Sequence, residues 1–66
     1  MQSSQGSSPI LKYFEFEHLP GKLQTVSEPC FNLAWAMEAV LPPGPEKSAG
    51  LRKLLEAKDC FVRAAL

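Results

Sequence analysis

The sequence predicts an all-α protein: an antiparallel helical hairpin with an extended N-terminal aromatic segment, assembled as a homo-oligomer. Apolar residues recur at helical spacing in two stretches, 21–41 and 45–66. Three prolines and a glycine at 42–45 separate them and cannot continue a helix. One core in a chain of 66 residues seldom contributes more than about 3–5 kcal/mol. A second copy of the chain is therefore the expected source of further burial.

Two parts are expected along the chain. Residues 1–9 are polar, of low complexity, and predict a flexible tail, whereas residues 10–66 form one domain. Within that domain, apolar and acidic residues alternate at 14–17, which is typical of an extended segment with one buried face. We expect this segment to lay its aromatic side chains on the helices as a clasp.

The first helical stretch contains a proline, which leaves two alternatives. Either one helix kinks at Pro29, or a short helix ends there and Ser27 caps a second helix. The following residues, 31–41, are apolar on more than one side. A helix buried against a single partner should carry one apolar stripe, so this pattern favours oligomerisation.

Composition excludes several classes of protein. Seven acidic and seven basic residues give no net charge, which argues against a nucleic-acid polymer as partner. The chain has no secretory signal and no apolar run long enough to cross a membrane, so we expect a cytoplasmic protein. Cys30, Cys60 and His18 are too few for a zinc site, and we expect no metal, no cofactor and two buried free thiols.

Catalysis finds little support in these residues. His18 is the only histidine, and nothing in the spacing places a nucleophile beside it. Glu15 and Glu17 are more simply the solvated side of the aromatic segment. We therefore expect a binding protein and not an enzyme.

An anion site is a candidate at the start of the second helix. Backbone amides there have no helical acceptor, and phosphate binds well at such a place. Lys47 and Ser48 lie in that turn, Arg52 follows Ser48 by four residues on the same face, and Lys53 is next to it. The alternative interpretation is structural: Ser48 caps the helix and Arg52 pairs with Glu56.

The aromatic segment could supply the rest of a nucleotide site. Tyr13 and His18 each carry a polar edge suited to the rim of a site, and Lys12 could contact a phosphate. Packing in the core is the default interpretation for the other aromatic residues.

Residues 41–57, which read LPPGPEKSAGLRKLLEA, resemble the helical-hairpin domain of phage cyclic-nucleotide sponges. The shared pattern is a proline turn followed by Glu, a polar residue, Ser, a Lys-Leu-Leu step and Glu-Ala. With the helix before it, the resemblance covers about the last 40 residues. Such proteins counter the CBASS and Thoeris defence systems.

The resemblance implies a phage protein in the host cytoplasm that assembles into dimers up to hexamers. It would sequester cyclic di- or trinucleotides, or cyclic ADP-ribose isomers, without cleaving them. The implied ligand-binding residues are Lys47, Ser48, Arg52 and Lys53 for phosphate, with Tyr13, His18 and Lys12 near a base. Members of this family often have an arginine where this chain has Pro45, so Arg52 or Lys47 would have to replace that phosphate contact.

A different class of function remains open. The chain could be a small oligomeric helical adaptor that binds a host protein through an exposed patch of Trp35 and Phe14 and takes no nucleotide. A third interpretation makes the hairpin an assembly piece with no ligand.

Overall fold

The computed structural model describes residues 8–66, and the protein is all-α. A 3-10 helix spans Pro9–Phe14, and two long α-helices follow, α1 at Gly21–Val40 and α2 at Pro45–Ala65. No β-strand occurs in residues 8–66. The two α-helices begin and end close to where the sequence predicts them, because the apolar spacing and the proline turn are both strong local signals.

α1 continues through its internal proline. Leu23, Ser27, Cys30 and Ala34 are buried at intervals of three and four residues, which is one face of an unbroken helix. Pro29 and Thr25 are exposed, so water can reach the Thr25 carbonyl that the missing proline N–H would have bonded. Of the two alternatives, a helix that ends at Pro29 is therefore wrong, and Ser27 is a buried helical residue instead of a cap.

The connection between the helices is short and extended. Leu41 leaves the helical conformation after its N–H bonds to the Met37 carbonyl at 3.1 Å. Pro45 occupies the first turn of α2, where a missing N–H costs nothing, and Glu46 places a negative charge at the positive end of the helix dipole. The first helical hydrogen bond joins the Ser48 N–H to the Gly44 carbonyl at 3.1 Å.

The extended conformation predicted for the aromatic segment is wrong at its start. The residues from Pro9 to Phe14 form a 3-10 helix, and Leu11 and Phe14, three residues apart, are both buried. At three residues per turn, this spacing places both side chains on one buried face of the helix. In the sequence, the alternation at residues 14–17 hides that spacing. Phe16, beyond the helix, is half-buried with its ring 5.2 Å from that of Phe31 in an edge-on arrangement.

The boundary of the predicted tail also moves. Residues 1–7 of the expected tail lie outside the described residues. Pro9 opens the 3-10 helix, and Ser8 bonds to Glu38 through both its N–H and its hydroxyl. The folded part therefore begins at least two residues before the predicted start of the domain.

The core is small and is shared by all three helices. The 3-10 helix contacts both α1 and α2, and these contact each other. The buried cluster consists of Leu11, Phe14, Cys30, Ala34 and Leu51. Both cysteines are free, but Cys60 is exposed, so the expected burial of that thiol is wrong. In the part of the chain described here, no helix is both long and apolar enough to cross a membrane.

Candidate functional site

Lys47, the first predicted phosphate ligand, is turned back onto α1. Its ammonium lies 3.1 Å from the Glu38 carboxylate and donates to the carbonyls of Glu38 at 3.2 Å and Leu41 at 3.0 Å. Three contacts match the three N–H donors of an ammonium group. The side chain is only 8% exposed. Lys47 therefore caps the C-terminal end of α1, where carbonyls lack helical partners, and its donors are already taken.

Ser48, Arg52 and Lys53 are all exposed on α2. The ion pairs formed within residues 8–66 join Lys47 to Glu38 and Lys58 to Asp59, so the Arg52–Glu56 pair of the structural interpretation does not form. No hydrogen bond from the Ser48 side chain caps α2 either. The hydroxyl and the two cations are thus directed to solvent, with Ser48 and Arg52 on one face.

The amides at the start of α2 contribute less than the sequence suggests. Pro45 has no N–H, and the Ser48 N–H is bonded to Gly44. The remaining amides, of Glu46 and Lys47, share their turn with the Glu46 carboxylate, which repels an anion. Any phosphate site on this helix must therefore depend on the guanidinium of Arg52 and the ammonium of Lys53, and not on the helix terminus.

The structure brings Lys12 and Tyr13 together on the 3-10 helix. The Tyr13 side chain is 56% exposed, and the Lys12 ammonium lies 5.2 Å from the centre of its ring, within the range of a cation–π contact. The Lys12 ammonium therefore covers part of the ring, and the rest of the aromatic surface is exposed. That exposed surface suits stacking of a nucleobase.

His18 is placed apart, in the turn that precedes α1. It is exposed, and the Gln24 side chain holds this turn by donating to the carbonyls of Glu17 at 3.3 Å and Leu19 at 2.7 Å. Nothing in residues 8–66 pairs with the imidazole by a hydrogen bond or ion pair.

Lys58 links the two groups of predicted residues. Its ammonium donates to the Tyr13 carbonyl at 2.8 Å, so the 3-10 helix is attached to α2 at that point. Lys58 follows Arg52 by six residues, which is about 9 Å along the helix axis and about 120° around it. Lys58 and Arg52 therefore lie on different sides of α2, and the Tyr13 carbonyl is held on the Lys58 side.

A cleft of about 580 Å³ lies between the aromatic segment and α1, and sequence reasoning missed it. Glu15 and Glu17 border it against the single cation Lys12, so its charge does not suit a phosphate. Trp35 is exposed at its wall, with its ring 6.3 Å from that of Phe31. Phe14, in contrast, is fully buried, so the proposed adaptor patch of Trp35 and Phe14 does not exist as a pair.

Glu38 was also missed, and it joins three parts of the fold. The Ser8 N–H donates to one carboxylate oxygen at 3.0 Å and the Ser8 hydroxyl to the other at 2.7 Å, beside Lys47. The hydrogen bond from the Ser8 hydroxyl is the main cause that lowers the pKa of Glu38 below its ordinary value of 4.5. Burial opposes this shift, and Lys47 adds to it. The role of Glu38 is thus structural.

An apolar face between α1 and α2 is not covered by any of residues 8–66. A groove of about 250 Å³ there brings together Leu33, Leu41 and Leu54. Val40 follows Leu33, and Phe61 follows Leu54, by seven residues, which returns each to the same side of its helix. We define these five residues as the apolar face. Val40 is 68% exposed and Phe61 53%.

Within the part of the chain that the structure describes, no group of three or more His, Cys, Asp or Glu side chains is placed to hold a metal ion. The geometry instead offers an exposed cationic stretch on α2, an exposed tyrosine and an uncovered apolar face. No protein-family model, curated protein or solved structure matches this chain.

Proposed function

We propose that the chain is one protomer of a homo-oligomeric phage protein that sequesters cyclic nucleotide second messengers without cleaving them. Its hairpin helices are antiparallel, and it acts in the host cytoplasm, where it starves the CBASS or Thoeris effector of its signal. The observation that carries the proposal is the state of Arg52 and Lys53: both are exposed, and neither forms an ion pair within residues 8–66. An exposed guanidinium or ammonium without such a pair suits a phosphate oxygen.

The apolar face supports the homo-oligomer. Four of its five residues are exposed, whereas residues 8–66 contain only six buried apolar side chains. Exposed apolar side chains arranged in one patch mark an interaction surface. A two-fold pairing of copies through this face would cover it, and would also place two sets of Arg52 and Lys53 in one particle.

The ligand class follows from the cations and the tyrosine together. Arg52 and Lys53, with the Ser48 hydroxyl, would hold phosphate, while a base would stack on Tyr13 with Lys12 beside it and His18 at the rim. Cyclic dinucleotides, cyclic trinucleotides and cyclic ADP-ribose isomers all combine phosphates with bases in this way. Lys47 acts indirectly, because its ammonium holds the end of α1 near the start of α2.

Calorimetry with a panel of these cyclic nucleotides tests the proposal. The wild-type protein should bind at least one of them, and Arg52→Glu should weaken binding by at least about 100-fold, since a contact of about 1.5–3 kcal/mol becomes a repulsion. Lys22→Glu is the matched control: it makes a similar change of charge at an exposed residue of α1. That control should bind as the wild type does.

Two results would contradict the proposal. One is the absence of binding heat with every nucleotide in the panel. The other is an equal loss of affinity in Arg52→Glu and Lys22→Glu, which would show only a general effect of net charge.

A protein-binding adaptor is the second candidate, and the exposed Trp35 beside the 580 Å³ cleft favours it. Thermal unfolding separates the two. A nucleotide that binds the folded state raises the unfolding midpoint by mass action, whereas an adaptor with no nucleotide ligand gives a flat response across the panel.

A further inference from the structure

Lys58 stands where the pattern of α2 calls for an apolar residue. Leu51 lies seven residues before it, Leu55 three residues before it, and Val62 four residues after it. All three therefore share its face of the helix. Its side chain is only 12% exposed. A charged group shielded from water is costly unless a partner compensates it, so this position needs an explanation.

The compensation comes from the aromatic segment. The ammonium donates to the Tyr13 carbonyl at 2.8 Å, while the nearest carboxylate oxygen, on Asp59, is 3.9 Å away. Tyr13 lies in the last turn of the 3-10 helix, where carbonyls have no partner within the helix. The Lys58 ammonium therefore caps the end of that helix.

The two ends of the 3-10 helix are attached separately. Ser8 attaches its start to α1 through Glu38, and Lys58 attaches its end to α2. The side chains of Leu11 and Phe14 hold one face of the helix in the core. Removing the attachment at Lys58 would therefore take one hydrogen bond away from the end that carries Tyr13, where Phe14 stays packed in the core, while Ser8 keeps the start bound. That end should loosen more than the start.

From this geometry we infer that Lys58 is a positioning residue: it holds Tyr13, with Lys12 over its ring, at a fixed place relative to Arg52 on α2. This inference rests on the proposed function, in which Tyr13 meets a base and Arg52 a phosphate. The role inferred for Lys58 is to hold Tyr13, because its ammonium donates to the Tyr13 carbonyl.

The first test is local and needs no nucleotide. Lys58→Met keeps an unbranched side chain and suits the apolar face of α2, so the helices should remain folded. Amide hydrogen exchange should accelerate at Glu15, whose N–H bonds to the Lys12 carbonyl at the end of the 3-10 helix. It should stay unchanged at Leu11, whose N–H bonds to the Ser8 carbonyl at the start, and in the middle of α1 and α2. Lys22→Met, at an exposed position, should leave every rate unchanged. Unaltered exchange at Glu15 in Lys58→Met would overturn the inference.

The second test is a double-mutant cycle on nucleotide affinity. If Lys58 acts through Tyr13, Lys58→Met should weaken binding about tenfold in the wild-type background and less than about twofold beside Tyr13→Ala. Equal losses in both backgrounds would show that Lys58 does not act through Tyr13. Lys58→Arg, which can still donate to the carbonyl, should recover part of the affinity.

The two tests fail for different reasons. If the wild-type protein binds no cyclic nucleotide, the proposed function fails, and hydrogen exchange still decides whether Lys58 holds Tyr13. If exchange at Glu15 accelerates but nucleotide affinity does not change, the positioning role is overturned although the sponge proposal stands.

Discussion

Individual residues in this protein divide into those that hold the fold together and those that face solvent. Lys47 and Lys58 direct their ammonium groups to backbone carbonyls. On the same helix, the guanidinium of Arg52 and the ammonium of Lys53 are directed to water. All four carry the same charge, yet burial and partners separate their roles. Only the second pair is available to a ligand.

The contacts that Glu38 makes with Ser8 and Lys47 depend on pH. Its pKa is lower in the folded state than in the unfolded chain, because the Ser8 hydroxyl and Lys47 stabilise the carboxylate. Between those two pKa values the unfolded state binds more protons, so stability falls as the pH drops. The contribution of Glu38 is complete above the unfolded pKa and is lost as the pH falls through the folded one.

We therefore expect Glu38→Gln to lose about 1 kcal/mol of unfolding free energy near neutral pH, and this deficit to shrink as the pH falls below 4.5, the ordinary pKa of the carboxyl group. Urea denaturation at several pH values measures both. Glu56→Gln, at an exposed carboxylate without an ion pair in residues 8–66, should follow the wild type throughout. A deficit for Glu38→Gln that did not shrink at any pH below that value would contradict this assignment.

Sequence reasoning identified the exposed cations, but it did not predict the contacts that Lys47 makes within the fold. Proximity to a helix start is visible in the sequence, and it predicted a phosphate ligand. The carbonyls of Glu38 and Leu41 come within reach of Lys47 only after the turn at residues 42–44 folds. The same holds for Lys58, whose partner lies 45 residues earlier in the chain.

Among the elements, α1 contains the clearest local conflict. Pro29 removes one backbone donor from the interior of the helix, and the helix continues because packing of its buried face outweighs that loss. Pro29 lies on the exposed side of α1, where a residue with a higher helix propensity could replace it.

Replacing Pro29 by alanine restores the N–H that would bond to the Thr25 carbonyl. We expect a gain of about 1–2 kcal/mol in unfolding free energy, which is the cost of an interior proline reduced by the entropy it removes from the unfolded chain. Urea denaturation measures it, and Glu28→Ala, at the neighbouring exposed residue, should change stability by less than about 0.5 kcal/mol. A loss of stability in Pro29→Ala would show that the fold requires the proline.

The 3-10 helix shows where element prediction from sequence is weak. Two patterns overlap there: Leu11 and Phe14 are spaced by three, and Phe14 to Glu17 alternate. Within the six residues of the 3-10 helix, neither pattern is long enough to decide between a helix and an extended segment. Contact with two α-helices determines which of them forms. The long helices have no such competition, because each carries several turns of consistent spacing.

At the scale of the whole molecule, residues 8–66 cover only part of their own apolar surface. The aromatic segment packs onto α1 and α2 through Leu11 and Phe14, whereas the apolar face of Leu33, Val40, Leu41, Leu54 and Phe61 has no cover from residues 8–66. The apolar excess in residues 31–41 predicted such a surface. Which residues of α2 share it could not be read from the sequence, since that depends on how the two helices pack.

Native mass spectrometry tests the central claim most directly, because it reports the number of protomers and any bound ligand in one spectrum. Across a wide range of protein concentrations, the account predicts a multimer of between two and six copies that gains the mass of whole cyclic nucleotides when these are added. A monomer that persists at every concentration and acquires no nucleotide mass would contradict it.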